Sequence, residues 1–310
     1  MRAWRRPPAL LLLLACVLLA ASFGAPRVDL ERSIYRYVLV FDISQSMNVA
    51  DVSAGDTPLT RLEFAKQRAQ EALKSLPCGS EVGLALFTGH RAFLMMTPIE
   101  LCANFSELSG MVTRVDWRMT WEERSEIAKG VFRSLELLRG FKDSTRLVFL
   151  TDGHEAPPIN PDVKPAFAGK VGAVKGVLVG VGGARPVPIP KLDAEGKQHG
   201  DWKAEDVMQV DSFRADENQR EGRGAAAGTE HLSSLKEDYL RGLAKETGLD
   251  YLRLDSSAGF MRALTAPAMG IPRHQATDIR WLFALTALLC LCLSLLRVTS
   301  KDAPASSSRA

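Results

Sequence analysis

The feature that most constrains the fold is an alternation of short apolar segments with longer amphipathic segments, which runs from Val28 to about Ala268. Tyr35 to Phe41 is a nearly continuous apolar run, as expected of a strand covered on both faces. Arg61 to Leu76 carries apolar residues at helical spacing. Strands that alternate with helices are typical of α/β domains. We therefore predict a doubly wound, mostly parallel, Rossmann-like sheet for residues 33–268.

The edge of this sheet is predicted to be a hairpin. Val82 to Phe87 and Ala92 to Met96 form two strand patterns around the turn at Thr88, Gly89 and His90, which supplies one antiparallel edge strand. Cys78 and Cys102 lie at the open ends of this hairpin, where a disulfide and a pair of free buried thiols are both compatible with the pattern. The remaining predicted elements are a helix over Glu123–Arg139, strands over Leu147–Leu150 and Val177–Val181, a helix around Leu235–Thr247, and an edge strand over Tyr251–Leu254.

Residues 184–229 interrupt the alternation. Pro186, Pro188 and Pro190 precede a polar, hairpin-like stretch, and Arg214 to Gly228 is charged and rich in glycine and alanine. Such composition is typical of a surface segment that is mobile in part. We predict an excursion from the domain here.

Both ends of the chain carry apolar runs. Basic residues precede the run Ala9 to Ala21, which predicts a signal peptide or signal anchor over residues 1–25; these residues are Arg2, Arg5 and Arg6. The run Trp281 to Leu296 predicts a transmembrane helix over 279–298, with a buried core helix as the alternative. A cytoplasmic tail over 299–310 would follow.

The basic residues outside both apolar runs favour a topology in which the termini are cytoplasmic and the domain lies outside the cytoplasm. The net charge of +3 is mild and the Lys and Arg residues are scattered, which argues against a nucleic-acid partner. The sequence contains no GxxxxGK[ST] loop, so we expect no nucleotide binding of that type.

Polar oxygen-bearing side chains follow two of the predicted strands. Asp42, Ser44 and Ser46 come directly after the strand that ends at Phe41, and Asp152 follows the strand that ends at Leu150. Open α/β sheets place their ligands at the carboxyl ends of parallel strands, so the two segments converge if the strands are neighbours. Carboxylates and hydroxyls without histidine or cysteine favour a hard cation such as Mg²⁺, Ca²⁺ or Mn²⁺.

These motifs resemble those of von Willebrand factor A domains. The resemblance covers roughly Tyr35 to Leu254 and rests on Asp42-x-Ser44-x-Ser46 and Thr151-Asp152-Gly153. It implies a metal-ion-dependent adhesion site in which the two serines are direct ligands and Asp42 and Asp152 lie in or beside the coordination sphere. The family's third hydroxyl ligand is a threonine, and here Ser125 and Thr120 are both candidates.

Two further features are similar to bacterial membrane-anchored A domains. Ser46-Met47 followed by Arg61-Leu62-Glu63, between two apolar ends, resembles proteins of aerotolerance-type operons and accessory proteins of methanol dehydrogenase operons, which are implicated in calcium insertion or maturation. The resemblance to the methanol dehydrogenase accessory proteins implies an accessory factor for a periplasmic metalloenzyme or envelope complex, held in the bacterial inner membrane. Its protein partner would offer an Asp or Glu side chain to the ion.

Two other function classes remain alternatives. One is a metal-independent scaffold in a membrane complex that works with a separate ATPase. The other is a hydrolase, which we do not expect: Ser44 stands where aspartate phosphotransferases carry a second acid, and no G-x-S-x-G elbow is present. His154 and Glu155 are predicted to be a solvated pair at the rim of the site, with contact to a partner as the alternative.

Overall fold

The structure is a computed structural model that describes residues 7–24, 27–141, 144–160, 162–220 and 228–299. The chain divides into two compact units. One is Ile34–Ile271, and the other combines the residues up to Ser33 with those from Pro272 onward. The predicted boundaries at 33 and 268 stay a prediction.

The helices and strands follow one another along the chain as β1 to β14 and α1 to α8. They are α1 (Pro7–Phe23), β1 (Arg27–Ile34), β2 (Arg36–Asp42), β3 (Val52–Ala54), β4 (Thr57–Leu59), α2 (Arg61–Ser75), β5 (Glu81–Thr88), β6 (Arg91–Glu100), α3 (Phe105–Arg114), α4 (Ile127–Arg139), β7 (Arg146–Thr151), β8 (Gly176–Gly180), β9 (Val187–Pro188), β10 (Pro190–Leu192), β11 (Gln198–Asp201), α5 (Ser212–Arg220), β12 (Leu232–Ser233), α6 (Glu237–Thr247), β13 (Asp250–Arg253), α7 (Ser257–Leu264), β14 (Ile271–Asp278) and α8 (Arg280–Thr299). Short 3₁₀ turns cover Gln45–Asn48, Trp117–Met119 and Pro267–Met269.

A mixed α/β architecture with a mostly parallel central sheet is observed, as predicted. The sheet order is β13-β8-β7-β2-β5-β6. Every neighbouring pair is parallel except β5 and β6, which form the predicted antiparallel hairpin at one edge. The opposite edge is β13, close to the predicted strand over Tyr251–Leu254.

Alternation along β2 explains why helices cover both faces of the sheet. Tyr37, Leu39 and Phe41 contribute to one apolar cluster, together with side chains of α2, α3 and α7. Val38 and Val40 contribute to a second cluster, with side chains of α4 and α6. Because successive side chains of a strand point to opposite faces, a strand buried on both sides is apolar along its length, as β2 is from Tyr37 to Phe41.

The position of β2 sets the site. It pairs in parallel with β5 on one side and with β7 on the other, with Phe41 opposite Leu150. The strands that end at Phe41 and Leu150 are therefore neighbours, which is the condition for the two polar segments to converge. The segments that follow these strands leave the sheet at the same edge.

The hairpin is closed by a disulfide. Cys78 and Cys102 are bonded, with their Cα atoms 5.2 Å apart. Of the two arrangements that the sequence left open, the structure has the cross-link. Cys16, Cys290 and Cys292 are free.

One helix begins later than predicted. Helicity was expected from Glu123, but α4 starts at Ile127. Ser125 instead makes isolated β-bridges with Gly89 and Ala156, so the backbone before α4 is held extended by tertiary contacts. The apolar spacing that predicts a helix does not register such contacts.

The predicted excursion over 184–229 contains short strands rather than only irregular chain. β9 pairs with β12, β10 pairs with β11, and α5 follows. Residues 221–227 of the predicted mobile stretch lie outside the described residues.

The second unit contains the two terminal helices and a two-stranded sheet of β1 and β14. Ala15 of α1 packs with Ala287 and Cys290 of α8. Within the part of the chain that the structure describes, no helix combines the length and the apolar character needed to cross a membrane. The membrane segments at 1–25 and 279–298 thus receive no support here. The basic residues ahead of α1 and the tail from residue 300 lie outside the described residues.

Candidate metal site

Asp42, the last residue of β2, is held by the segment that follows it and by the neighbouring strand. Its carboxylate is fully buried. Oδ1 accepts a hydrogen bond from the Ser44 backbone N–H at 2.9 Å, and Oδ2 accepts one from Thr151 Oγ1 at 2.6 Å. The Ser44 and Ser46 hydroxyl oxygens lie 3.3 Å apart. The side chains of the Asp-x-Ser-x-Ser motif therefore gather at one place, as the sequence predicts.

The second segment forms a tight turn after β7. Gly153 has φ +77°, a conformation that favours glycine, and its N–H donates to Thr151 Oγ1 at 3.0 Å. The next N–H, of His154, donates to Asp152 Oδ1 at 3.0 Å. Thr151 Oγ1 thus accepts from the turn while it donates to Asp42, which connects the two segments.

A buried arginine completes the site, and sequence reasoning did not predict its contacts. Arg61, the first residue of α2, is fully buried. Its Nη1 donates to Asp152 Oδ2 at 2.5 Å and to Ser233 Oγ at 2.7 Å. Nε and Nη2 donate to the two carboxylate oxygens of Asp51 at 3.0 and 2.7 Å. One guanidinium therefore ties α2 and the loop before it to the end of β7 and to β12.

The two site aspartates have opposite electrostatic surroundings. Burial, reinforced by the nearby charge of Asp152, raises the pKa of Asp42 to about 7. Burial also opposes ionisation of Asp152, but the Arg61 guanidinium, together with His154 and the hydrogen bonds from the His154 N–H and Ser46, outweighs it, so the pKa of Asp152 lies below its usual range. A cation placed between the hydroxyls would relieve the repulsion that Asp42 experiences.

Lone pairs remain for a ligand. A carboxylate oxygen can accept about two hydrogen bonds, and Asp152 Oδ2 already receives donors from Arg61 and Ser233. Asp42 Oδ1 and Oδ2 accept from the Ser44 N–H and the Thr151 hydroxyl, and Asp152 Oδ1 accepts from the His154 N–H. Asp152 Oδ2 is therefore an oxygen whose acceptor capacity the protein already uses.

The two candidates for a third hydroxyl differ in their surroundings. Ser125 is 2% exposed, and its Oγ has no hydrogen-bond partner among the described residues. Thr120 Oγ1 lies 3.0 Å from Thr88 Oγ1 and donates to the Glu122 carbonyl oxygen at 2.9 Å. Because an unpartnered buried hydroxyl is costly, the Ser125 hydroxyl is available for a ligand, whereas that of Thr120 is engaged within the protein.

Ser125 faces the same cavity as the motif serines. This cavity has a volume of about 580 Å³, and Ser44, Ser46 and Ser125 all line it. Thr120 is not among its lining residues. Part of its wall comes from the excursion, through Ile189, Trp202 and Met208 among others. The excursion, predicted only as a surface segment, thus shapes the opening of the site.

His154 and Glu155 are not the solvated pair that the sequence predicts. His154 is 3% exposed and lines the cavity, and burial lowers the pKa of its imidazole. Glu155 turns to α4, where its Oε1 accepts from the Ala128 N–H at 2.9 Å and from the Tyr239 hydroxyl. Burial raises the pKa of Glu155 to about 7. The prediction was wrong because polarity along the sequence does not record which other segments cover a loop.

The site is an oxygen cluster rather than a conventional cluster of metal-binding side chains. Within the described ranges, no three His, Cys, Asp or Glu side chains are grouped so as to hold an ion. Any ion here would depend on the three hydroxyls in addition to the two aspartates. Hydroxyl and carboxylate oxygens are the donor set that hard divalent cations prefer.

Comparison with known proteins gives distant relatives. No family model matches the sequence. A UPF0353 protein from Mycobacterium sp. (strain KMS) is 27% identical over 275 residues, which cover 84% of this chain and 75% of the relative. A UPF0353 protein from Mycobacterium avium is 27% identical over 297 residues, with coverage of 88% and 81%.

Two solved structures illustrate the structural similarity. One is an aerotolerance-related membrane protein from Bacteroides fragilis NCTC 9343, with 18% identity, a TM-score of 0.48, and coverage of 74% of this chain and 96% of that chain. The other is a von Willebrand factor type A protein from Catenulispora acidiphila, with 13% identity, a TM-score of 0.36, and coverage of 82% and 43%.

The buried guanidinium predicts a large effect of one substitution. Replacing Arg61 by Met removes the guanidinium that neutralises Asp51 and Asp152. We expect a loss of about 3–5 kcal/mol in the free energy of unfolding. Arg68→Met on the same helix removes the pair with Glu71, a hydrogen bond to Ser257 and a contact with the Phe64 ring, but leaves no fully buried carboxylate unpaired, and should cost less, about 1–2 kcal/mol. Urea unfolding of both variants measures the difference, and equal losses would contradict this role of Arg61.

Glu155 predicts a pH dependence of stability. Burial raises the pKa of Glu155 from its ordinary value of 4.5 to about 7, so the folded state binds the proton more tightly than the unfolded state does. Stability contributed by this group is therefore lost as pH rises from about 4.5 to about 7. Relative to Glu155→Gln, the free energy of unfolding of the wild type should fall by about 3 kcal/mol between these two pH values. Denaturant unfolding at each pH measures this difference. Parallel stability curves for the two proteins would contradict the prediction.

Proposed function

We propose that the domain is a metal-ion-dependent protein-binding module. Ser44, Ser46 and Ser125 would be the direct ligands of a divalent cation, with Asp42 and Asp152 in or beside the coordination sphere. The observation that carries this proposal is the Ser125 hydroxyl, which is buried without a partner and faces the same cavity as the two motif serines. Buried hydroxyls ordinarily have a partner, and a bound ion would supply one here.

The donor set supports recognition of an acidic partner. Hydroxyls are neutral, and the charge of Asp152 is already balanced in part by Arg61. An ion held mainly by hydroxyls therefore keeps residual positive charge. A cavity of about 580 Å³ beside it leaves space for an Asp or Glu side chain of a protein partner. Mg²⁺, Ca²⁺ and Mn²⁺ all suit such a site.

We place the domain outside the cytoplasm, anchored in a bacterial inner membrane. The Cys78–Cys102 disulfide supports an oxidising compartment. Large apolar side chains are exposed on both terminal helices, among them Leu10 and Leu13 on α1 and Leu295 and Leu296 on α8. Such surfaces are suited to a lipid environment.

Within that setting, the partner would be an extracytoplasmic enzyme or envelope complex for which this protein acts as an accessory or maturation factor. This part of the proposal rests on the resemblance of Asp42-x-Ser44-x-Ser46-Met47 and the Arg61 segment to membrane-anchored A domains. A methanol dehydrogenase system is the specific form that the resemblance suggests.

One observation favours the alternative of a metal-independent scaffold. Arg61 already supplies a fixed positive charge to Asp152, at 2.5 Å, so part of the site is neutralised by the protein itself. In that case the domain would hold a membrane complex together without an ion, beside a separate ATPase. Chelation separates the two functions because only the first requires a metal.

The test is capture of partners by the full-length protein in the presence and absence of EDTA. If the ion bridges to the partner, a set of captured proteins is lost with EDTA and returns when Mg²⁺ or Mn²⁺ is restored. Ser44→Ala should reproduce the loss, because it removes one predicted ligand.

Ser134→Ala is the matched control. Ser134 is a buried serine on α4 whose hydroxyl donates to the Gly130 carbonyl oxygen within the same helix, so its loss should leave capture unchanged. Partners retained equally in EDTA and by Ser44→Ala would favour the scaffold and refute the metal-dependent module.

A further inference from the structure

The side chain of His154 has no role in the site described so far. The imidazole is 3% exposed and lines the same cavity as Ser44, Ser46 and Ser125. Its Nδ1 is buried and has no hydrogen-bond partner among the residues that the structure describes. Buried ring nitrogens are ordinarily satisfied, so an unpartnered one beside a candidate ion site requires an explanation.

The turn that carries His154 is fixed by the site itself. The His154 N–H donates to Asp152 Oδ1 at 3.0 Å, and Asp152 Oδ2 is held by Arg61. The preceding Gly153 adopts a left-handed conformation, and a Cβ there would come within 2.9 Å of Leu240. The backbone of His154 is therefore anchored to the same aspartate that the ion would approach. A ligand group held in this way needs little reorganisation on binding.

We propose that the His154 imidazole contributes a nitrogen ligand to the ion at Ser44, Ser46 and Ser125, so that the site favours a divalent transition ion over Mg²⁺ and Ca²⁺. This inference rests on the proposed metal site and deepens it. Nitrogen ligands suit first-row transition ions, whereas Mg²⁺ and Ca²⁺ take oxygen ligands almost entirely. A single imidazole among oxygen donors therefore changes which ion is preferred without preventing the others from binding.

A second histidine with a buried, unpartnered ring nitrogen provides a matched control. His231 also has an Nδ1 without a partner among the described residues, but it is not among the residues that line the cavity. If an unpartnered imidazole were sufficient for an effect on the ion, substitutions at His154 and His231 would behave alike. If the position beside the serines matters, only His154 should affect the ion.

The experiment uses the full-length protein loaded with Mn²⁺ and examined by electron spin echo envelope modulation, which detects a ¹⁴N nucleus coupled directly to the metal. The wild type and His231→Gln should show ¹⁴N coupling, and His154→Gln should lose it. Competition between Mn²⁺ and Mg²⁺ gives a second readout. The preference for Mn²⁺ should fall about tenfold or more in His154→Gln, with Mg²⁺ affinity changed less than about twofold.

The outcomes distinguish this inference from the function on which it rests. Mn²⁺ that binds without ¹⁴N coupling in the wild type, or coupling that persists in His154→Gln, overturns the role of His154 and leaves the metal-dependent module intact. Failure of both Mn²⁺ and Mg²⁺ to bind at millimolar concentration overturns both the role of His154 and the metal-dependent module. If His154→Gln does not fold, the wild-type spectrum still tests the inference, because absence of ¹⁴N coupling there contradicts a nitrogen ligand and its presence supports one.

Discussion

The contact on which the site depends is the buried guanidinium of Arg61 between two carboxylates. Asp152 and Asp51 lie in different segments, and both accept hydrogen bonds from this guanidinium. The Ser233 hydroxyl accepts a further one. Removing charges from water is costly, so this arrangement is stable only because every donor of the guanidinium has an acceptor within reach. It fixes the start of α2 against the end of β7. It also fixes β12, and with it the wall of the cavity that the excursion supplies.

Arg61 also sets the charge that remains for an ion. Asp152 is balanced by the guanidinium, whereas Asp42, one strand away, is buried with hydroxyl and N–H donors but no cation. The raised pKa of Asp42 reports that difference. A divalent ion among Ser44, Ser46 and Ser125 would supply the charge that Asp42 lacks. The proposed function thus follows from an imbalance between two aspartates that lie on neighbouring strands.

Much of this arrangement could be predicted from the sequence. The strands that end at Phe41 and Leu150 are strongly apolar up to those residues, so their burial follows from general rules of α/β sheets. The gathering of Asp42 and Asp152 at one edge follows once the two strands are neighbours, as they are in the structure. The hairpin with Cys78 and Cys102 at its open ends could be predicted equally well, because its turn and its two strands are local sequence patterns.

What could not be predicted depends on contacts between distant segments. Arg61 begins an amphipathic helix, and nothing in its spacing indicates that it would be buried against Asp152. The start of α4 was misplaced because the bridges of Ser125 to Gly89 and Ala156 override a local helical pattern. His154 was expected in solvent because its polarity along the sequence does not show that it is buried in the folded protein, where it is 3% exposed. Each miss reflects tertiary contacts that outweigh local preference.

The most direct test of the account is the position of an ion. A crystal of the protein grown with Mn²⁺ and measured for anomalous scattering should show a single strong peak bounded by the hydroxyl oxygens of Ser44, Ser46 and Ser125, with Asp42 and Asp152 beside it. A peak elsewhere in the molecule, or no peak while these side chains keep the hydrogen bonds described here, would contradict the central claim.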